Sequence, residues 1–323
     1  MMGEDDELRM FADGIRRALE SGSVAEVDAA LEELGWLEAW SELGGGALRT
    51  AFTLAGELRV DAGMLDGLLA LSISGQTDAA FILPRVGTSE PPGVWKDGVL
   101  SVAGAATPRL LSSEYAIVVH GTGTAARAAQ VPAAPLRAAL TMGIDAPEGF
   151  GGVALDVEPI EDLGEVDWEG IVELGRLALS CELVGLGRGM IALAREHALS
   201  RIQFGRPIAG FQAVRHRLVE ALLAVEAADA AVTETLRSID AEPETRRTHA
   251  AMSKALAGLG ARTAARHCQQ VLAGIGFTVE HPFHRYLRRA LVLDELFGSA
   301  RSLTREIGEE ALRRKDALFE LAL

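Results

Sequence analysis

Two clusters of polar and glycine residues, about sixty positions apart, carry the side chains best suited to chemistry. The first, Arg201–Gly205, ends a long helical pattern, because Gly205 can stop a helix. The guanidinium of Arg201 is a planar fork that suits phosphate oxygens, and Gln203 adds neutral donors. A structural role also stays open, in which Arg201 caps helix carbonyls and Phe204 fills a core.

The second cluster, Gln270–Gly276, ends another long helical pattern. Its Gly274-x-Gly276 pair follows a helix and not a strand, so it is not the dinucleotide-binding fingerprint of a Rossmann fold. The glycines fit a helix C-cap, and they equally allow a ligand to approach the backbone closely. A basic stretch follows at 280–289, but its two histidines lack the partners of a metal site, and no metal is predicted.

Composition limits the classes of protein that this chain can be. Its 323 residues, 49% of them hydrophobic, predict a large core in two or three subdomains. A net charge of −15 argues against nucleic acid and anionic membranes as partners. Cys181 and Cys268 lie in apolar helical patterns and predict buried, reduced thiols. No apolar run reaches the ~20 residues of a membrane span, and the acidic N-terminus lacks a signal pattern, so we expect a cytoplasmic protein.

Proline placement divides the chain, since eight of the 11 prolines lie within 84–159 and proline disfavours helix interiors. Inside this window Asp97-Gly98 predicts a hairpin and Tyr115–Val119 a buried strand. Before it, Ser23 and Glu26 form a capping-box pattern. After it, helical patterns predict an antiparallel four-helix bundle, with segments at 168–200, 211–239, 245–272 and 285–321.

The predicted fold is therefore α+β and mainly helical. It comprises an N-terminal helical domain at 1–77, a small, shortened middle β-domain at 78–165 and a C-terminal four-helix bundle at 166–323.

Both clusters resemble motifs in the C-terminal helical domain of the flavin-dependent acyl-CoA dehydrogenases. Arg201–Gly205 matches the family's Arg-x-x-Phe-Gly motif, and Gln270–Gly276 matches its Gln-x-x-Gly-Gly-x-Gly motif, with Ala273 in place of a glycine. In the family these motifs bind the pyrophosphate and adenosine side of FAD across a subunit interface. The resemblance is strong over 168–300 and weak elsewhere. It implies an FAD-binding set of Arg201, Gln203, Phe204, Gln212, Gln270 and Gly274.

The resemblance fails at the family's catalytic base, a glutamate that removes the α-proton of the acyl-CoA while a hydride passes to the flavin. In most members this glutamate aligns with Phe297, and in a minority it aligns with Gly175. Neither position holds a carboxylate, so we predict that no residue of this chain is the catalytic base. Glu295 and Glu182 are the candidates for a displaced base.

A second departure lies in the β-domain. The family carries a Thr-Glu-x-x-x-Gly-Ser-Asp-like loop there, whose groups hydrogen-bond the isoalloxazine ring of FAD. The corresponding segment, Phe81–Glu90, lacks these donors. By this resemblance, the chain keeps the motifs that bind the pyrophosphate and adenosine side of FAD. It lacks the catalytic glutamate and the loop that hydrogen-bonds the isoalloxazine ring.

The two departures favour a subunit of a heteromeric acyl-CoA dehydrogenase. Such a chain would contribute part of the FAD site to a larger catalytic partner, which holds most of the acyl-CoA, and would be inactive alone. It resembles the short subunits of the actinobacterial α2β2 enzymes that act in steroid side-chain degradation. Two alternatives stay open: a self-sufficient homo-oligomeric enzyme with a displaced base, and a flavin-free structural or regulatory paralogue.

Overall fold

The computed structural model describes residues 4–60, 63–75, 78–145, 149–238 and 242–314.

The N-terminal part of the chain is helical. Its helices are α1 (Glu4–Leu19), α2 (Val24–Leu34), α3 (Trp36–Leu43), α4 (Gly45–Leu58) and α5 (Met64–Ser74). The predicted capping box is confirmed, because the Glu26 carboxylate accepts a 2.7 Å hydrogen bond from the Ser23 N–H and the Ser23 side chain completes the pair. Gly35, with a left-handed φ of 69°, ends α2 and lets α3 begin at the next residue.

A sheet of eight strands follows. The strands are β1 (Ala80–Phe81), β2 (Gly93–Lys96), β3 (Val99–Ala106), β4 (Tyr115–His120), β5 (Arg127–Pro132), β6 (Thr141–Met142), β7 (Gly151–Val157) and β8 (Glu161–Glu165). Their order is β6-β7-β3-β2-β4-β5-β8, and β1 pairs with β4 in parallel. A short helix, α6 (Ala133–Ala138), follows β5.

Both β predictions inside the proline window are confirmed. Asp97 and Gly98 take left-handed φ angles of 52° and 83° and join β2 to β3 as an antiparallel hairpin. The strand β4 is buried from Ala116 to His120.

The C-terminal part is again helical, with α7 (Trp168–Ser200), α8 (Gln212–Arg237), α9 (Pro243–Leu272), α10 (Phe283–Glu295) and α11 (Ala300–Arg314). The bounds of α7 are those predicted. This helix is long and apolar enough to cross a membrane by length and composition, but 78% of its apolar window is buried, which makes it a core helix.

The single last helix predicted at 285–321 is wrong. The described part of this segment forms two helices, α10 and α11, because Phe297 and Gly298 take left-handed φ angles of 54° and 98° and break the helix between them. Residues 315–321 lie outside the described residues.

The helices α4 and α7 pack backbone against backbone. A Cβ atom on Gly56 would lie 2.2 Å from the carbonyl oxygen of Glu182, and one on Gly185 would lie 2.1 Å from that of Thr53. Only glycine allows this approach, so these turns of the two helices leave no room for a ligand chain between them.

Candidate functional site

The Arg201–Gly205 cluster forms a tight hairpin at the end of α7. Two short strands, Ile202–Gln203 and Arg206–Pro207, pair antiparallel around a turn in which Phe204 and Gly205 have φ angles of 52° and 77°. Left-handed angles at both central residues are those of a type I′ turn. The turn directs the Phe204 side chain into solvent, where it is 92% exposed.

This geometry excludes the structural role considered for the cluster. Phe204 fills no core, since its ring is almost fully exposed. Arg201 is also exposed, and among the described residues its guanidinium caps no helix carbonyl. Both side chains are therefore free to meet a ligand or another chain.

The fold brings the two clusters together around one open cavity of about 350 Å³. The hairpin forms one wall, the start of α8 a second, and the end of α9 a third. The lining residues are Gln203, Phe204, Ile208, Phe211, Ala213, Val214, Arg217, Gln270 and Val271. We call this cavity the bundle-end groove.

Aromatic rings and amide groups set the chemistry of the bundle-end groove. The Phe204 and Phe211 rings meet edge to face with centroids 6.1 Å apart. The Arg206 guanidinium lies 4.3 Å from the centroid of Phe211. Flat apolar faces beside amide edges suit a planar aromatic base that also forms hydrogen bonds.

Three residues of the predicted FAD-binding set, Arg201, Gln212 and Gly274, do not line the groove. Gln212 is the exposed first residue of α8, beside the groove. Gly274 follows α9 and is exposed, and a Cβ atom there would meet nothing within 4 Å. The backbone at Gly274 is thus open to a ligand.

Ala273 takes a backbone conformation that glycine favours. Its φ and ψ are 53° and −133°, a combination costly for a residue with a Cβ atom. This is the position at which the second family motif carries a glycine. Glycine would therefore fit this backbone conformation better than Ala273 does.

The two positions predicted to align with the family's base, Gly175 and Phe297, are in contact with each other. Phe297 is fully buried, and a Cβ atom on Gly175 would lie 2.7 Å from its ring. The Arg176 Nε donates a 3.0 Å hydrogen bond to the Phe297 carbonyl oxygen. A phenyl ring therefore occupies the space beside both positions.

Buried polar groups hold the turn that carries Phe297. The Lys254 ammonium, fully buried, donates to the carbonyl oxygens of Asp294 at 2.8 Å and Gly298 at 3.3 Å. Burial lowers the pKa of Lys254 to about 8. The Asp294 carboxylate accepts from the Ala300 N–H at 3.0 Å and from Arg262 at 3.1 Å.

The sequence interpretation missed Lys254, Arg176 and Arg217. The signal for Lys254 was a lone lysine within an alanine-rich apolar stretch of α9. Arg176 and Arg217 carried no such signal, since arginines are common on helices of this composition.

The two displaced-base candidates lie in different surroundings. Glu182 is buried, and its carboxylate accepts a 2.8 Å hydrogen bond from the Arg289 Nε, itself buried. Glu295 is half-buried at the end of α10, and its carbonyl oxygen accepts from the Gly87 N–H. Its carboxylate lies 4.0 Å from the Cβ position of Gly87, so it faces the β-domain segment that follows β1.

Comparison with known proteins decides the family. Residues 168–312 match the model of the acyl-CoA dehydrogenase C-terminal domain. The chain thus carries the C-terminal domain of the acyl-CoA dehydrogenase family. It is similar to acyl-CoA dehydrogenase FadE34 of Mycobacterium tuberculosis (strain ATCC 25618 / H37Rv), with 40% identity over 39% of this chain and 18% of the relative. Acyl-CoA dehydrogenase IpdE2 of the same strain is 35% identical over 44% of this chain and 42% of the relative, so the matches span less than half of either relative.

Solved structures show the same fold over nearly the whole chain. A steroid acyl-CoA dehydrogenase, the Tcur3481-Tcur3483 G363A variant, superposes with a TM-score of 0.80 and 19% identity, covering 98% of this chain and 100% of that chain. The ChsE4-ChsE5 complex from Mycobacterium tuberculosis gives 0.76 and 19%, covering 98% and 99%. The mainly helical fold predicted from the sequence is confirmed.

The residues present fit the nucleotide end of the family's FAD better than its isoalloxazine end. The bundle-end groove and the open backbone at Gly274 suit a nucleotide. At the other end, Phe81, Ile82 and Leu83 are fully buried and apolar, so their side chains donate nothing to an isoalloxazine ring.

Proposed function

We propose that this acyl-CoA dehydrogenase chain is a cytoplasmic subunit without a catalytic base of its own, which shares one FAD with a larger catalytic partner. The contact between Phe297 and Gly175 carries the proposal. A glutamate at position 175 would collide with the Phe297 ring, and position 297 itself holds that ring. Neither of these two positions can then hold the base, which we expect on another chain.

In this proposal the bundle-end groove binds the nucleotide end of the partner's FAD. Arg201 places its charge by the pyrophosphate, while Gln203 and Gln270 offer amide donors and acceptors. The exposed Phe204 ring stacks on the adenine and excludes water from it. When bound, FAD accepts the hydride of the dehydrogenation.

The acyl group lies mainly on the partner. The helices α4 and α7 touch at Gly56 and Gly185, which closes the space between these turns to an acyl chain. The cavity between α4, α5, α7 and α10, which Glu182 and Arg289 line, has a volume of only about 10 Å³, room for about one water molecule and not for an acyl chain.

Steroid side-chain thioesters are the substrate class that we propose for the complex. The support is the printed description of one structural relative as a steroid acyl-CoA dehydrogenase. The same description names two proteins, as does that of the ChsE4-ChsE5 complex, which supports a heteromeric assembly for this chain.

Co-expression tests the proposal. The chain is produced alone and together with the acyl-CoA dehydrogenase subunit encoded beside it, and both preparations are assayed for bound flavin and for dehydrogenation of acyl-CoA. We expect yellow, active protein only from co-expression. A lone chain that is yellow and active would contradict the proposal, and colourless protein from both would favour a flavin-free paralogue.

A further inference from the structure

Three half-buried histidines lie where α10 begins and α7 ends. His281 precedes α10 and His284 lies in its first turn, where the His284 Nδ1 donates a 2.8 Å hydrogen bond to the His281 carbonyl oxygen. His197 lies one turn before Arg201, whose N–H donates to the His197 carbonyl oxygen at 2.8 Å. We call His197, His281 and His284 the histidine cluster.

The packing of α10 on α7 brings the members of the cluster together. The Arg289 Nε donates to the Glu182 carboxylate at 2.8 Å. Three residues earlier on α10, the Tyr286 ring packs on the backbone of Gly189, seven residues later on α7. The two helices are therefore antiparallel, and the start of α10, with His281 before it, lies beside the last turns of α7.

Positive charge surrounds the cluster. Burial lowers the pKa of His281, and so do the neighbouring His197 and His284. The Glu196 carboxylate acts in the opposite direction. Burial, and after it Arg201, lowers the pKa of His197. The fold without a ligand thus favours the neutral forms of His197 and His281.

Further charged groups lie on the elements that pack around the cluster. They are Arg285 and Arg288 on α10, Glu280 on the segment before it, and Arg266 and His267 on α9. The Glu280 carboxylate accepts a hydrogen bond from the Thr278 side chain. The His267 Nδ1 lies 3.4 Å from the Glu220 carboxylate, and Arg266 contacts His267, so both face α8. Among the described residues, Glu196 is thus the carboxylate that faces the cluster.

The neutral ring of His281 also holds the start of α10. Its Nδ1 accepts a 3.2 Å hydrogen bond from the Phe283 N–H, which belongs to the first residue of that helix. The first N–H groups of a helix have no partner within the helix. A protonated ring has no free acceptor, so protonation of His281 breaks this bond. A nearby anion offsets this cost.

We infer that the histidine cluster couples FAD binding to proton uptake, so that the pyrophosphate held by Arg201 binds more tightly when the cluster is protonated. The inference rests on the proposed function, because Arg201 must hold that pyrophosphate. Two negative charges about 10 Å from an imidazole raise its affinity for a proton about tenfold. By reciprocity, protonation of the cluster raises the affinity for FAD by the same factor. FAD itself gains no proton between about pH 8 and about pH 5.5, the range in which histidines titrate.

Titration of the flavin-stripped, co-expressed complex with FAD tests the inference. The Kd for FAD should be about tenfold lower at about pH 5.5 than at about pH 8. Calorimetry in two buffers of different ionisation enthalpy should show that protons are taken up on binding. The variant with His197→Gln, His281→Asn and His284→Asn should bind FAD with nearly the same Kd at both pH values. Its two asparagines preserve the acceptor for the Phe283 N–H and the donor to the carbonyl oxygen of residue 281.

The matched control is His249→Gln, a half-buried histidine near the start of α9, which should retain the full pH dependence. Thermal unfolding of each variant at both pH values confirms that it is folded. An FAD Kd that is equal at both pH values, or higher at the acidic one, would overturn the inference. So would a pH dependence that survives in the triple variant, because the protons then bind elsewhere.

Arg201→Ala separates failure of this inference from failure of the proposed function. If Arg201→Ala weakens FAD binding while the wild-type Kd is independent of pH, the proposed function stands and the proton coupling is refuted. If neither the substitution nor the pH changes the Kd, Arg201 does not hold the pyrophosphate and both are refuted.

Discussion

The ring of Phe297 rests on the backbone of Gly175, close enough that a Cβ atom on the glycine would lie 2.7 Å from ring carbon Cε2. The two residues are those that we predict to align with the catalytic base of acyl-CoA dehydrogenases. In this chain one position supplies the ring and the other the space for it. The identities of the two residues are thus coupled by packing.

Gly175→Ala should reduce the free energy of unfolding by about 1–3 kcal/mol, because the new methyl group overpacks the Phe297 ring. Phe297→Ala should reduce it by about 3–5 kcal/mol through the cavity it leaves. The double variant should cost less than the sum, since each change relieves the other. Urea unfolding measures all three, with Gly274→Ala as the control, where the added atom meets nothing. Strictly additive losses would show that the two residues are not in contact.

Ala273→Gly should raise the free energy of unfolding by about 1 kcal/mol, because the residue has a φ of 53° and a ψ of −133°. The control is Ala192→Gly at an exposed position within α7, which should lower stability by about 1 kcal/mol. Opposite signs for the same chemical change would identify backbone strain at Ala273. A loss at both positions would contradict it.

Asp66 should make stability depend on pH between about 4 and 6. Burial raises the pKa of its carboxyl from 3.8 to about 6, although the Phe81 N–H and the Thr107 hydroxyl both donate to it. The folded state binds the proton more tightly, so the stabilisation is fully present below pH 3.8 and is lost as pH rises through about 6. The free energy of unfolding lost over this pH range is on the order of 3 kcal/mol.

Asp66→Asn should remove this part of the pH dependence. Its amide keeps both contacts, since the oxygen accepts from Phe81 and the nitrogen donates to Thr107. Urea unfolding from pH 4 to pH 7 should show a smaller loss of stability in the variant than in the wild type. Equal slopes would mean that Asp66 titrates normally in the fold.

Arg201→Ala should weaken FAD binding to the co-expressed complex by about 10- to 100-fold, the worth of a charged hydrogen bond. Arg195→Ala on the same helix, also exposed, removes an equal charge away from the groove and should leave binding unchanged. The measurement is titration of the flavin-stripped complex with FAD. Full affinity after Arg201→Ala would refute a pyrophosphate role for this residue.

Glu295→Gln should change the kcat of the complex by less than about twofold, because the base is expected on the partner. The half-buried carboxylate faces the segment around Gly87, so the substitution should affect local packing at most. A kcat lower by about 1000-fold or more, with flavin content unchanged, would instead identify Glu295 as a displaced base.

Local features of the sequence determined the limits of α7, the hairpin at Asp97 and Gly98 and the capping box at Ser23. Each depends on residues within a few positions, where proline, glycine and capping side chains act directly on the backbone. The split of the last helix into α10 and α11 was not predicted from the sequence. Phe297 does not favour a left-handed φ by itself, and its packing in the fold fixes that angle.

The tertiary structure decided the groove and the contact between Phe297 and Gly175. The sequence supplied the residues of both predicted FAD motifs, but the packing of α7, α8 and α9 brought Gln203 and Gln270 to one groove. The absence of a glutamate at positions 175 and 297 was visible in the sequence. The packing of the Phe297 ring over Gly175 was not visible in the sequence, because contacts between residues so far apart in the chain depend on how the helices pack.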